Sequence, residues 1–316
     1  MTEELMIENL INDRRVLARS ISIVEEGGSK GDKLLKGIIS KLGQAYRIGV
    51  TGPPGAGKST ITNQLTKIYL NENKKIGIIA VDPTSPFTGG ALLGDRIRMN
   101  EIGQNKNVFI RSMASRGSLG GLSKKAVDAA DVLDAAGFDL IILETVGVGQ
   151  SELDIAKASD TTLVVVVPES GDSIQAMKAG LMEIADIFIL NKSDRPGANQ
   201  SETALKTIIS LKDHDENSWL PSIIRTVASE NEGMLELNNE IEKHRKYLNE
   251  RDRLTAKRKE QLRNRIKNIV QEKINSEIWN KENENSLNLS LKNVIFGNVS
   301  PYEIAEEIIK NYKDEK

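Results

Sequence analysis

The nine residues Gly52-Pro53-Pro54-Gly55-Ala56-Gly57-Lys58-Ser59-Thr60 constrain this chain more than any other stretch. They follow a β-branched, apolar run from Tyr46 to Thr51, and a helix-forming run from Lys58 to Leu70 begins after them without a breaker. Strand, glycine-rich loop and helix, in that order, are what the G-x-x-x-x-G-K-[ST] phosphate-binding loop requires. Glycines let the backbone curl with its N–H groups turned inward, and the new helix adds the positive end of its dipole. In such a loop Lys58 reaches the β- and γ-phosphates of a nucleoside triphosphate, and the Ser59 hydroxyl sits on Mg²⁺.

From residue 46 to about 227 short β-branched runs alternate with helical ones: Ile76 to Val81, Val108 to Arg111, Leu140 to Glu144, Thr161 to Val167, Ile187 to Leu190 and Ile223 to Val227. That alternation predicts an α/β fold, a P-loop NTPase with a mainly parallel central sheet and helices on both faces. Leu163-Val164-Val165-Val166-Val167 has no polar alternation, which is the pattern of a strand buried on both faces. Ligands of open α/β sheets bind at the carboxyl ends of the strands, and each candidate site residue below follows one of these runs.

Outside this region the chain reads as helical. Residues 5 to 26 carry apolar positions at mixed three- and four-residue spacings, Gly27-Gly28 ends that pattern, and Asp32 to Leu42 reads as a further short helix. Glu240 to Ile278 has no Pro or Gly, and Leu262, Ile266, Ile269, Val270, Ile274 and Ile278 form one stripe, as if to dock on another helix or a second subunit. Glu282 to Asn288 reads as a polar linker, and Ser300-Pro301 as the N-cap and first position of a last helix. The expected division is 1–45, an N-terminal helical extension; 46–247, the nucleotide domain; and 248–316, a C-terminal helical extension.

Between Glu242 and Lys273 basic residues outnumber acidic ones by 12 to 5, but Tyr247 is the only aromatic there and the net charge of the chain is -2. A solvated helix face explains this better than a nucleic-acid strip, so no nucleic acid is expected as a partner. The chain has no cysteine, which excludes disulfides, thiolate metal sites and cysteine catalysis. No segment approaches the roughly 18 consecutive apolar residues of a membrane helix. Met1 to Leu10 is acidic and does not resemble a secretory signal. A cytoplasmic protein with no membrane association is expected.

The base is selected by Asn191-Lys192-Ser193-Asp194, an N-K-x-D sequence directly after the run Ile187 to Leu190. The Asp194 carboxylate can accept from the ring N–H and the exocyclic amine of guanine, a donor pair that adenine lacks. Asn191 can fix the strand-to-loop geometry and meet the base edge, and the Lys192 stem can cover the flat face of the ring. Thr226-Val227-Ala228-Ser229, after the last strand, can supply a backbone N–H to the guanine oxygen, with Val227 and Ala228 as the expected contacts. The γ-phosphate sensor is expected in Glu144-Thr145-Val146-Gly147, where Gly147 leaves the backbone room to approach the phosphate and Glu144 stands where most such proteins carry Asp. Val148 follows, where Ras-like proteins place a glutamine that orients water, with Gln150 two residues on; slow hydrolysis until a partner completes the site is the expectation. Asp82 and Asp95 are the other carboxylates near strand ends. Either can hold a magnesium-bound water or align the nucleophile, and equally Asp82 before Pro83 can start a turn and Asp95 can cap a helix.

The runs VTGPPGAGKST, AVDPTSPFTGGALLGDRIRM, LETVGVGQSELDIA, MKAGLMEIADIFILNKSD and GNVSPYEIAEEI resemble the methylmalonyl-CoA mutase-associated GTPases, the MeaB type, once described as an arginine and ornithine transport kinase. The resemblance covers the chain from about Arg14 to its last helix. It implies a metallochaperone-like P-loop GTPase, binding GTP, GDP and Mg²⁺, with a C-terminal extension that makes a homodimer. It implies a G-protein chaperone that gates adenosylcobalamin delivery to a cobalamin-dependent acyl-CoA mutase, protects the mutase and helps expel damaged cofactor. By the same resemblance Asp82, Asp95 and Glu144 belong, with Ser59, to the magnesium and hydrolysis machinery. Pro168 to Gly180, with Gln175 and Lys178, is then a mobile switch facing the mutase, to which Gln150 also belongs. Pro86-Phe87 departs from the polar or basic pair common in the family.

Three other functions compete. A nickel-insertion GTPase must hold metal, and His214 and His244 are the only histidines. A signal-recognition-type GTPase wants a Met-rich tail, whereas only Met234 lies beyond residue 182. A transporter-associated kinase wants an acceptor-binding domain, for which the sequence offers no separate segment.

Overall fold

The computed structural model describes residues 3–83, 100–115, 124–145, 154–168, 179–211, 215 and 217–314. Two amphipathic helices, α1 (Glu3–Asn9) and α2 (Arg14–Glu26), open the chain. The Asp13 carboxylate caps α2 by accepting from the Arg15 and Val16 N–H groups, and Gly27, at φ 78°, ends it. The glycine pair does not open a loop, since α3 (Gly28–Ile38) starts at once and ends in a short 3₁₀ turn, Ile39–Lys41. The following turn is fixed by one buried carboxylate: Asp134 accepts from the N–H groups of Gly43 at 2.8 Å, Gln44 at 3.1 Å and Ala45 at 3.0 Å. The chain is thereby aimed into the first strand.

The expected α/β architecture is borne out, and the sheet is wholly parallel. Its strands are β1 (Tyr46–Thr51), β2 (Ile76–Pro83), β3 (Val108–Ser115), β4 (Leu140–Thr145), β5 (Thr161–Val166), β6 (Ile187–Asn191) and β7 (Ser222–Thr226), in the spatial order β3-β2-β4-β1-β5-β6-β7. Helices α4 (Lys58–Asn71), α5 (Asn100–Gly103), α6 (Lys124–Ala135), α7 (Ala179–Ile184), α8 (Ala198–Ser210) and α9 (Met234–Asn249) lie between or after the strands. Alternate residues of one strand feed opposite faces. Leu140 and Ile142 pack with α4 and α9, while Ile141 and Leu143 pack with α2, α3 and α6. The N-terminal helices therefore share a core with the sheet through Leu17, Ile21, Leu34 and Ile38. In β5, Leu163 and Val165 face one layer and Val164 and Val166 the other, so all six of its residues are buried, as the unbroken apolar run predicts.

Parallel pairing puts every carboxyl end on one edge. Val50 lies beside Glu144 of β4 and Leu163 of β5, and Asn191 beside Thr226. The central position of β1 places its following loop between β4 and β5.

The chain divides into two compact units, Met1–Leu254 and Thr255–Lys316, whereas the sequence suggested a break at 247/248. The expected continuous helical stretch from Glu240 is interrupted: α9 ends at Asn249, a 3₁₀ turn covers Glu250–Asp252, and α10 (Arg253–Ile278) follows. Arg251 and Asp252, at φ 52° and 57°, take the left-handed conformation that breaks the helix with neither Pro nor Gly. The expected linker at Glu282 to Asn288 is instead part of α11 (Lys281–Ile295). Its first turn is stabilised by the Asn280 side chain, which accepts from the Asn283 N–H at 2.9 Å, and by Glu282 and Glu284 near the positive end of the dipole. The last helix, α12 (Pro301–Asp314), carries a capping box: Ser300 Oγ accepts from the Glu303 N–H and the Glu303 carboxylate accepts from the Ser300 N–H.

Candidate functional site

The site begins where β1 ends. At Gly52, φ is 136° and an added Cβ would lie 2.1 Å from the Val165 carbonyl oxygen, so only glycine lets the loop leave β1 this close to β5. Gly57, at φ 95°, precedes α4, and a Cβ there would lie 2.3 Å from Asn191 Nδ2. Between them the loop is closed by an Ala56 N–H to Pro53 carbonyl bond of 3.3 Å. The Lys58 ammonium lies across this loop, donating to the carbonyls of Gly52 at 2.8 Å and Pro53 at 2.9 Å.

Ser59, at the start of α4, donates from Oγ to Glu144 Oε1 at 2.6 Å, across to the buried penultimate residue of β4. One residue further, Thr145 Oγ1 donates to Thr51 Oγ1 at 3.0 Å, tying the ends of β4 and β1. Thr60 is half-buried in the first turn of α4, and Pro54 and Gly55 are exposed at the loop tip. Asp82 stands next to the last residue of β2, in register with Ala114 of β3. Asp95, Gly147, Val148, Gln150, Gln175 and Lys178, like Pro86, Phe87 and His214, lie outside the described residues.

The N-K-x-D segment meets the phosphate loop directly. Asn191 donates from Nδ2 to the Ala56 carbonyl at 2.7 Å, while its Oδ1 accepts from Thr226 Oγ1 at 3.0 Å and from the Ala228 N–H at 3.1 Å. One buried side chain thus joins three carboxyl-edge loops. Lys192, at φ 57°, spans the same gap from outside, its ammonium donating to the Gly55 carbonyl at 2.9 Å. Ser193 anchors the next turn on the Thr226 carbonyl, and Asp194 projects beyond it with an exposed side chain. The expected Val227 and Ala228 donors are both engaged within the protein, Val227 N–H with the Glu232 carbonyl at 3.1 Å and Ala228 N–H with Asn191.

Two side-chain roles had no sequence signal. Thr226 is expected only within the segment that supplies a backbone N–H, yet it is its hydroxyl that orients Asn191. Gln64, on α4, donates from Nε2 to the Ala228 carbonyl at 3.2 Å; a lone glutamine in a helix gives no warning of this.

A sequence model of the family described as methylmalonyl Co-A mutase-associated GTPase MeaB matches residues 17–283. The chain belongs to the MeaB family. A relative named as a GTPase in Pyrococcus abyssi is 45% identical over 312 residues, covering 98% of this chain and 96% of the relative. The GTPase ArgK of Escherichia coli is 34% identical, with 85% of this chain and 84% of that protein covered. The mouse methylmalonic aciduria type A homolog, a mitochondrial protein, is 30% identical over 95% of this chain and 77% of its own length. A crystal structure of an LAO/AO transport system kinase superimposes with TM-score 0.76 at 26% identity, covering 99% of this chain and 98% of that one. This MeaB-family protein is a P-loop GTPase, hydrolysing GTP to GDP and phosphate. Among its described residues no helix is long and apolar enough to cross a membrane.

Proposed function

We propose that this MeaB-family GTPase is a nucleotide-driven chaperone that gates cofactor loading and protection of a cobalamin-dependent acyl-CoA mutase. The observation that carries the nucleotide part is the Asn191 bridge, which ties the phosphate loop to the N-K-x-D segment and so supports reading them as the two ends of one nucleotide site. The mutase part is supported by the family description and by the relative named for methylmalonic aciduria.

The chemistry follows from the side chains. Residues 52–60 wrap the phosphates, Asn191 and Lys192 shape the base pocket, and Asp194 reads the guanine edge. The Lys58 ammonium turns from the Gly52 and Pro53 carbonyls onto the β- and γ-phosphate oxygens, exchanging two neutral acceptors for charged ones. Ser59 Oγ and Glu144 Oε1 form an all-oxygen pair of the kind a hard divalent cation takes, so they fit Mg²⁺, with Asp82 and Asp95 as further carboxylates. When bound, Mg²⁺ neutralises charge on the β- and γ-phosphates. Gly147 senses the γ-phosphate, and Gln150, Gln175 and Lys178 transmit its presence to the mutase. With Val148 in place of a water-orienting glutamine, hydrolysis is slow until the partner completes the site.

Immobilised mutase is expected to retain this protein in one of its two states, GDP-bound or bound to a non-hydrolysable GTP analogue, at least tenfold better than in the other, since a switch works only through differential affinity. Equal retention would remove the switch. Phosphoryl transfer to a transport protein is the competing reading, favoured by the likeness to the LAO/AO kinase. Label from γ-labelled GTP appearing on that acceptor instead of in free phosphate would establish it.

We also propose that Thr255–Lys316 pairs two copies of the chain. In α10, Leu262, Ile266, Val270 and Ile274 recur at four-residue spacing and are between 41% and 61% exposed, an apolar stripe that a second copy would cover. Sedimentation is expected to give a dimer, and Ile266→Lys with Val270→Lys a monomer that still binds GDP. A monomeric parent would end this proposal.

A further inference from the structure

The turn that follows β7 has three consecutive N–H groups, on Val227, Ala228 and Ser229. The first is bonded to the Glu232 carbonyl and the second to Asn191 Oδ1. The third belongs to the same planar peptide as the Ala228 carbonyl, and in a trans peptide the N–H points opposite to the C=O. That carbonyl accepts from Gln64 Nε2 at 3.2 Å and, more weakly, from the Asn231 N–H at 3.4 Å within its own 3₁₀ turn, so Gln64 is its one side-chain holder among the described residues. Gln64 lies on α4, the helix that begins with Lys58 and Ser59, so the element that carries the phosphate-binding side chains also sets the tilt of this peptide.

We propose that Gln64 is a positioning residue for base recognition: by holding the Ala228 carbonyl it presents the Ser229 N–H as the donor to the 6-oxygen of guanine. This deepens the guanine-site reading and rests on it. Gln64 touches no part of the nucleotide, and its effect passes through one peptide plane. The half-buried amide is fixed by the packing of α4 against the sheet, through the buried neighbours Ile61 and Leu65. Loss of the amide leaves the peptide held by the long Asn231 bond alone, so its tilt loosens and the oxygen-specific contact weakens while the phosphate contacts stay.

The test compares GDP with 6-thioguanosine diphosphate, which keeps the ring N–H and the 2-amine but offers sulfur, a poor acceptor, at position 6. The wild type is expected to prefer GDP by about tenfold, the worth of roughly one hydrogen bond. Gln64→Leu is expected to bring that preference to within about twofold, chiefly by weakening GDP, and Gln64→Lys, which restores a donor, to recover most of it. Melting of each nucleotide-free variant checks that the fold is intact. A Leu variant that keeps the wild-type preference, or that weakens both nucleotides equally, overturns the assignment. Wild-type protein that binds GDP no better than xanthosine diphosphate would overturn the guanine-site reading and this inference together, whereas normal guanine preference with an unresponsive Gln64 overturns this inference alone.

Discussion

Asp194→Asn is expected to lower guanine nucleotide affinity by on the order of 10⁴ and to turn the preference toward xanthine nucleotides. The Asp194 carboxylate is exposed at the tip of the N-K-x-D turn, anchored by the Ser193 bonds to the Thr226 carbonyl. In a bound complex it would give up water to accept two hydrogen bonds from the ring N–H and the 2-amine. A carboxylate has no donor, so xanthine, with an oxygen at position 2, would face it with like polarity. The amide of asparagine reverses one of the two polarities and can donate to that oxygen. Because the backbone of the turn is held by Ser193 and not by Asp194, the substitution changes recognition without moving the loop. Competitive titration with GDP and xanthosine diphosphate reads the effect directly, and an unchanged guanine preference would remove Asp194 as the base reader.

The strands and the edge on which the site assembles were legible because the physics that makes them is local in sequence. For β5 no tertiary information is needed, since Leu163 to Val167 is apolar at every step and a strand buried on both faces follows from that alone. The phosphate loop announces itself because Gly52 and Gly57 occupy backbone positions that a Cβ would close. What escaped was what depends on contacts distant in sequence. The left-handed Arg251-Asp252 step has no Gly or Pro to mark it; Arg251 donates to Asn217 Oδ1, and Arg253 lies 4.1 Å over the Tyr247 ring, contacts no spacing rule reveals. Glu282 to Asn288 reads as a linker through its polarity, yet the Asn280 cap and the neighbouring α12 are enough to hold a helix there. The roles of the Gln64 amide and the Thr226 hydroxyl emerge only when the sheet brings residues 64, 191, 226 and 228 together.

Asn191→Ala is the second large effect, and it separates holding the site together from reading the base. The wild-type side chain makes three buried hydrogen bonds, to the Ala56 carbonyl, the Thr226 hydroxyl and the Ala228 N–H, so truncation leaves three polar groups, one in the phosphate loop and two at the end of β7, without that partner. At about 1–3 kcal/mol for each buried group left unsatisfied, partly offset by water entering the gap, the expected loss is roughly 3–5 kcal/mol. A loss of that size lowers the melting temperature by roughly 10 °C for a unit of this length. GDP affinity falls with it, because the side-chain tie between the phosphate loop and the base loop then rests, among the described residues, on the Lys192 bond to Gly55 at the surface. Asn191→Asp is the sharper probe. It keeps an acceptor for Thr226 and Ala228 but sets a carboxylate against the Ala56 carbonyl, 2.7 Å from the present amide, so repulsion replaces attraction on the phosphate-loop side alone. Calorimetric melting with and without GDP is expected to show both variants destabilised and the Asp variant gaining less from nucleotide than the wild type. If Asn191→Asp melted and bound GDP as the wild type does, the bridge would be incidental, and the two halves of the site would have to be held in place by the sheet alone.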